Sequence, residues 1–207
     1  MRFALLSLLI LALFTGCNSG KTADKTSTLA PDVLQHSEVS LYEEYENILD
    51  NKSLLFDVDL NEEMYIGEFL GNRELEMSKY STVDLNGGSI PEVVGWLSRG
   101  ADVYWGFLVL HYDNNVVYAY ELAYRTFNNL KKDGTFSFSG GVSDYGIGKI
   151  EFVSGAYKVN KIAYSKAEYG TQKVLYYIND CSVSKKDFET YLMEQRQKQN
   201  AEWNVFT

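Results

Sequence analysis

Val103-Tyr-Trp-Gly-Phe-Leu-Val-Leu-His-Tyr112, then Asp113-Asn114-Asn115, then Val116-Val-Tyr-Ala-Tyr-Glu-Leu-Ala-Tyr124 reads as a β-hairpin. β-Branched and aromatic side chains suit a pleated surface, and asparagine tolerates the positive φ of a tight turn. Alternation sends Tyr104, Leu108, Leu110 and Tyr112 to one side of the first strand, and Trp105, Phe107, Val109 and His111 to the other. Both sides are largely apolar, so this strand is expected at the centre of a sheet covered on each face.

The same texture, short runs of Val, Ile, Tyr, Phe and Trp punctuated by Asn, Asp and Gly, extends from Ser53 to Asn179 and predicts an antiparallel meander. Helices flank it. Ser40 and Glu43 make a capping box, and Leu41, Tyr45, Ile48 and Leu49 recur at helical spacing to about Asp50. Near the C-terminus Ser184 is the N-cap of a helix running to about Asn200, with Asp187 as capping partner and Val183 and Phe188 as a hydrophobic staple. Phe188, Tyr191 and Leu192 should lie on the sheet, and Trp203, Val205 and Phe206 predict that the C-terminus docks as well. The expected fold class is α+β, an antiparallel β-meander sheet with a short N-terminal and a longer C-terminal helix packed on it, in a single domain over 38–207.

Ahead of that domain lie Arg2, an unbroken apolar run from Phe3 to Phe14, and Thr15-Gly16-Cys17. This is the three-part layout of a secretory signal, and the run is too short for a spanning helix. Phe-Thr-Gly-Cys resembles a bacterial lipobox, with Phe14 where Leu is usual. The resemblance implies a signal peptide over 1–16, S-acylation of Cys17, and an extracytoplasmic membrane anchor. Residues 17–37 are small and polar and read as a tether. With 28 acidic against 19 basic residues the chain carries a net charge of −9, which repels nucleic acid and anionic lipid. Membrane attachment therefore falls to the acyl chains. Lipidation of Cys17 leaves Cys181 as the one thiol, so no intramolecular disulfide is expected.

Chemistry-bearing motifs are sparse. Asp84-Leu85-Asn86-Gly87-Gly88-Ser89-Ile90-Pro91-Glu92 has the oxygen-rich look of a calcium loop, with Asp84, Asn86 and Glu92 as candidate ligands. Gly88 stands where an acid belongs and Ser89 where a glycine belongs, so a plain turn on Asn86-Gly87 is the preferred reading, with weak calcium binding the alternative and no other cofactor expected. Gly140 to Gly148 is glycine-rich but fits neither a Walker nor a dinucleotide spacing; it reads as a long surface loop and a place to look for a partner. His111 is the one histidine of the folded part, so no nucleophilic triad or zinc site assembles around it. The 16 Tyr, 11 Phe and 3 Trp are mostly core, while exposed rings, Trp105 and Tyr145 above all, are candidate ligand contacts.

Together with the Asp84 loop, Leu130-Lys-Lys-Asp-Gly-Thr-Phe-Ser-Phe-Ser139, Gly140-Gly-Val-Ser-Asp-Tyr-Gly-Ile-Gly148 and Tyr177-Ile-Asn-Asp-Cys-Ser-Val-Ser184 resemble segments of uncharacterised lipoproteins of clostridial Firmicutes. The resemblance covers roughly Ser53 to Thr207 and implies a Gram-positive cell surface; it implies no activity. The degenerate acidic loop is where this chain departs from that pattern.

These readings converge on a lipid-anchored surface protein, a non-catalytic binding module for a protein or a cell-wall glycan. The alternative is a cell-envelope hydrolase working through a pair of carboxylates. Replacing Cys17→Ser should abolish incorporation of labelled fatty acid and leave precursor or released protein; labelling that survives the substitution would refute the anchor.

Overall fold

The computed structural model describes residues 42–88, 90–100, 103–153 and 155–207. The signal segment, Cys17, the tether and the capping residue Ser40 lie outside them. In chain order the elements are α1 (42–49), β1 (Leu55–Asp57), β2 (Glu62–Met64), α2 (Ile66–Asn72), β3 (Glu76–Val83), β4 (Glu92–Arg99), β5 (Val103–Asp113), β6 (Val116–Ala123), β7 (Phe136–Gly141), β8 (Asp144–Val153), β9 (Ala156–Ala167), β10 (Val174–Ile178), β11 (Cys181–Val183), α3 (Lys185–Gln197) and β12 (Asn204–Val205).

β5 and β6 form the predicted hairpin, paired from Asp113↔Val116 back to Gly106↔Ala123. Asn114 and Asn115 both hold positive φ in the turn, at 51° and 66°. The apolar character of both faces forces a layer on each side. On one face Val93, Leu97, Leu108, Leu110 and Ala119 meet Tyr45 and Ile48 of α1 and Ile66 and Phe69 of α2. On the other, Val94, Phe107, Val109, Tyr120 and Leu122 meet Phe136, Phe138 and Ile150 from later strands.

Those later strands are a second sheet. The expectation of one meander gives way to two sheets, a seven-stranded one in the order β12-β3-β4-β5-β6-β1-β2 and a five-stranded one in the order β11-β10-β9-β8-β7. A run of consecutive antiparallel neighbours survives within each, β3 to β6 and β7 to β11. The first sheet is extended by β1, which pairs parallel to β6, and by β12, which closes on β3. The break falls between β6 and β7 because residues 124–135 leave the first sheet and drop Phe127 and Leu130 into the space between the sheets. α3 covers the far face of the second sheet through Phe188 and Leu192 against Ile147 and Ala163, with Tyr176, Ile178 and Val183 at its margin. The layers therefore run helices, sheet, sheet, helix, and the class is α+β.

Two local features depart from the sequence reading. Pairing of β4 with β5 jumps from Leu97↔Gly106 to Ser98↔Tyr104, so Trp105 is the extra residue of a β-bulge. The bulge inverts the alternation: Tyr104 joins Phe107 and Trp96 between the sheets, while Trp105 joins Leu108 and Leu110 under the helices. Helix α2, unforeseen, has the sequence Ile-Gly-Glu-Phe-Leu-Gly-Asn, whose two glycines weaken intrinsic helicity. It forms because Ile66 and Phe69 bury almost completely and Glu68 accepts the Tyr65 amide at 3.0 Å. Burying each such side chain contributes about 1.5–3 kcal/mol.

The turn after Lys131 presses on the Asp84 loop. Gly134 has φ +76°, and a Cβ there would lie 2.1 Å from the Asp84 carbonyl oxygen. Gly134→Ala should cost roughly 1–3 kcal/mol through strain and overpacking together, read as a lowered denaturant midpoint. Gly71→Ala, where an added Cβ meets nothing, should hold or raise the midpoint. Equal midpoints for the two variants would refute this account of the turn.

Candidate functional site

The most desolvated charges are built into the fold. Asp57 is fully buried beside the half-buried Arg73. Arg73 donates to Asp57 Oδ2 at 2.6 Å from Nη2 and to Glu121 Oε2 at 3.1 Å from Nε. Trp105 Nε1 donates to the other Glu121 oxygen, and the Arg99 guanidinium lies 4.0 Å over the Trp105 ring. Asp57 Oδ1 also accepts the amides of Asp59 and Leu60. Two carboxylates bridged by one guanidinium hold β1, β6 and α2 together. Trp105, a candidate ligand contact in the sequence, is placed inside this clamp. Burial, and then the neighbouring Asp57 charge, push the Asp59 carboxyl up from its ordinary value.

The Asp84 loop is likewise turned inward. Glu92 is fully buried; its Oε2 accepts the Leu85 amide at 2.8 Å, and its Oε1 accepts Asn86 Nδ2 at 2.9 Å. His111 Nδ1 lies 3.0 Å from that same Oε1, and the imidazole stacks on Phe152 at 3.9 Å between centroids. Asp84 Oδ1 accepts the Gly87 amide at 2.7 Å, and Asn86 Oδ1 accepts the Gly88 amide at 2.6 Å. Ser89 lies outside the described residues. Asp84, Asn86 and Glu92, the candidate ligands of the calcium alternative, accept from the loop's own donors. Among the described residues no group of three or more His, Cys, Asp or Glu is placed to hold a metal ion.

The segment 140–148 is a hairpin rather than a long loop. β7 and β8 are separated by Val142 and Ser143 alone, and the glycines serve strand packing: a Cβ on Gly146 would lie 2.0 Å from the Ala163 carbonyl oxygen. Tyr145 faces α3, its ring centroid 5.7 Å from that of Phe188. Of the tyrosines on β5 and β6, Tyr120 is buried, its phenol pushed up to about 12 by burial, and Tyr104 stacks on Trp96 at 4.2 Å. Cys181 is a free, exposed thiol at the start of β11.

An open cleft of about 770 Å³ lies instead on the second sheet, lined by Asp144, Asn160, Lys161, Tyr164, Lys166, Tyr177 and Asp180. The core between the sheets draws residues from β7, β8 and β9 and none from β10 or β11, so the inward face of the sheet is left open at that end. Cross-strand pairing aligns Phe138, Gly146, Tyr164 and Tyr177 in one row across four strands. The Tyr164 and Tyr177 rings stack at 4.9 Å and 17°. Gly146, buried in this row, contributes no side chain, and its close approach to the Ala163–Tyr164 backbone packs β8 against β9. Tyr164 OH donates to Asp180 Oδ1 at 3.1 Å, and Lys161 Nζ donates to Asp144 Oδ1 at 3.0 Å. Burial, the bond to Asp180 and its charge push the Tyr164 phenol up from its ordinary value, so it remains a neutral donor.

No family model, no curated protein and no solved structure matches the chain, and the cleft is read from its own chemistry. Sequence reasoning quoted Tyr177 within a resemblance and passed over Tyr164 as a ligand contact. A usable signal was present: two strands with tyrosine at inward positions, flanked by a strand with glycine at Gly146 and Gly148.

Because the oxygens of Glu92 are occupied within the loop, melting the protein in millimolar calcium and then in chelator should give the same midpoint, since only an ion bound to the folded state raises it. A clear rise with calcium would reinstate Asp84, Asn86 and Glu92 as ligands.

Proposed function

We propose that the protein is a lipid-anchored extracytoplasmic module of a Gram-positive cell surface that binds carbohydrate, with the Tyr164–Tyr177 cleft as its site. The anchor rests on the leader and Cys17; among the described residues no helix is long and apolar enough to cross a membrane. The observation that carries the ligand class is a pair of stacked tyrosines in an open cleft ringed by hydrogen-bonding side chains. A sugar ring offers an apolar C–H face for the aromatic surface and hydroxyls for the polar rim. Two lysines and two aspartates line the cleft, which favours neither sign of ligand charge. A protein partner would call for a large desolvated apolar centre, and the lining is instead polar around its two rings.

Hydrolysis through a carboxylate pair has less support. Asp57 and Glu121 are held by Arg73, and in the cleft Asp144 is engaged by Lys161 and Asp180 by Tyr164. The arrangement suits recognition, with the acids orienting donors.

Titrating the protein with short wall-type oligosaccharides, chitotriose as the first probe, should show saturable binding. Tyr177→Ala should weaken it about tenfold, the loss of one aromatic contact worth about 1.4 kcal/mol. Tyr42→Ala, an exposed tyrosine on α1, should leave binding unchanged. Equal affinities for wild type and Tyr177→Ala would overturn the assignment of the site.

A further inference from the structure

A second depression, of about 450 Å³, lies next to the cleft, lined by Tyr124, Arg125, Asn128, Phe138 and Gly141 among others. The two depressions meet at a single structural feature. Lys161, which lines the first, extends its ammonium 4.9 Å above the ring of Phe138, which lines the second, and 5.6 Å from the Tyr164 ring. Its hydrogen-bond acceptor, Asp144, pairs across the hairpin with Gly141 of the second depression. Below this bridge the row position is Gly146, buried against the Ala163–Tyr164 backbone, so no side chain stands between Phe138 and Tyr164 except that of Lys161 above them.

The bridge is weakly held. Lys161 and Asp144 have 40% and 50% of their side-chain surface exposed, and an ion pair so open to water opens at little cost. The path from β7 to β10 crosses three strand spacings, roughly 14 Å. At its far end Arg125 is exposed, donates to Tyr124 OH from Nε at 3.1 Å, and has no acidic partner among the described residues, so its remaining planar donors face solvent.

We infer that the two depressions are the ends of one binding path and that its occupant is a linear oligosaccharide long enough to reach both. This rests on the carbohydrate reading of the Tyr164–Tyr177 cleft. One sugar stacks beside the tyrosines, the chain crosses at Lys161, and a distal sugar meets Tyr124 and Arg125. Lys161 is a movable divider that exchanges Asp144 for hydroxyls of the ligand.

The test uses the full-length chain purified in detergent, titrated with N-acetylglucosamine oligomers and with cello-oligomers of two and of six units. The hexasaccharide of the series that binds should be at least tenfold tighter than its disaccharide. Arg125→Ala should collapse that ratio toward one by weakening the hexasaccharide, and Arg125→Lys should restore it in part. Amide signals of Asn128 and Ser139 should shift with the hexasaccharide and stay in place with the disaccharide. Equal affinity for the two lengths, or a ratio unaltered by Arg125→Ala, would overturn the extended path while leaving the tyrosine cleft intact. Binding by no member of either series would count against the carbohydrate reading itself, and with it this inference.

Discussion

A lysine ammonium set against the end of a helix ties the layers together. Lys131 is only 7% exposed, and its Nζ donates to the carbonyls of Arg196 at 2.8 Å and Lys198 at 3.2 Å and to Asn200 Oδ1 at 2.7 Å. The last carbonyls of a helix have no partners within it and carry the negative end of its dipole, so a cation there satisfies both. An ammonium has three protons, and here each has an acceptor. Around this point the backbone of residues 130–135 pairs with the chain leaving α3: the Ala201 amide donates to Leu130 O and the Lys132 amide to Gln199 O. Asp133, exposed enough to feel water, is raised by burial but lowered further by hydrogen bonds from Lys198 and Thr135, and settles at about 2. Its contribution is present above the ordinary carboxylate range and fades as pH falls toward that value.

From this anchor the rest of the layering follows. The crossover that carries Lys131 also buries Phe127 and Leu130 between the sheets, and its Gly134 turn seats the backbone of Asp84 and Leu85. The chain that leaves α3 returns to the first sheet, where Trp203 meets the edge of Trp96 and β12 pairs with β3. One short segment thereby fixes α3 on the second sheet and the C-terminus on the first.

Acidic residues are numerous, and the desolvated ones are committed to the fold. Among the described residues the buried carboxylates are engaged, Asp57 by Arg73, which also holds Glu121, and Glu92 by His111, because a buried carboxylate without a partner would cost several kcal/mol. The groups free to meet a ligand lie where the two sheets fail to overlap. The Tyr164–Tyr177 cleft exists because β10 and β11 give the core residues on the α3 side, Tyr176, Ile178 and Val183, and give none to the space between the sheets.

Features encoded within a few consecutive residues were legible in the sequence alone. Asn114-Asn115 specified the turn of β5 and β6, Ser184 with Asp187 and Val183 with Phe188 specified the start of α3, and the doubly apolar β5 specified a strand covered on both faces. Tertiary structure decided which face each residue joined and which charges were consumed. The bulge at Trp105 exchanged it with Tyr104, because one inserted residue inverts a period of two. Glu92, a candidate ligand in the sequence, is a buried brace that meets His111, nineteen positions away. Lys131 found its carbonyls 65 and 67 positions on, and Tyr164 its stacking partner on the neighbouring strand. Local chemistry sets turns, caps and periodicity because its energies act between neighbours in the chain. A site depends on which distant surfaces are dried against each other and which are left in water, and that is settled only when the layers pack.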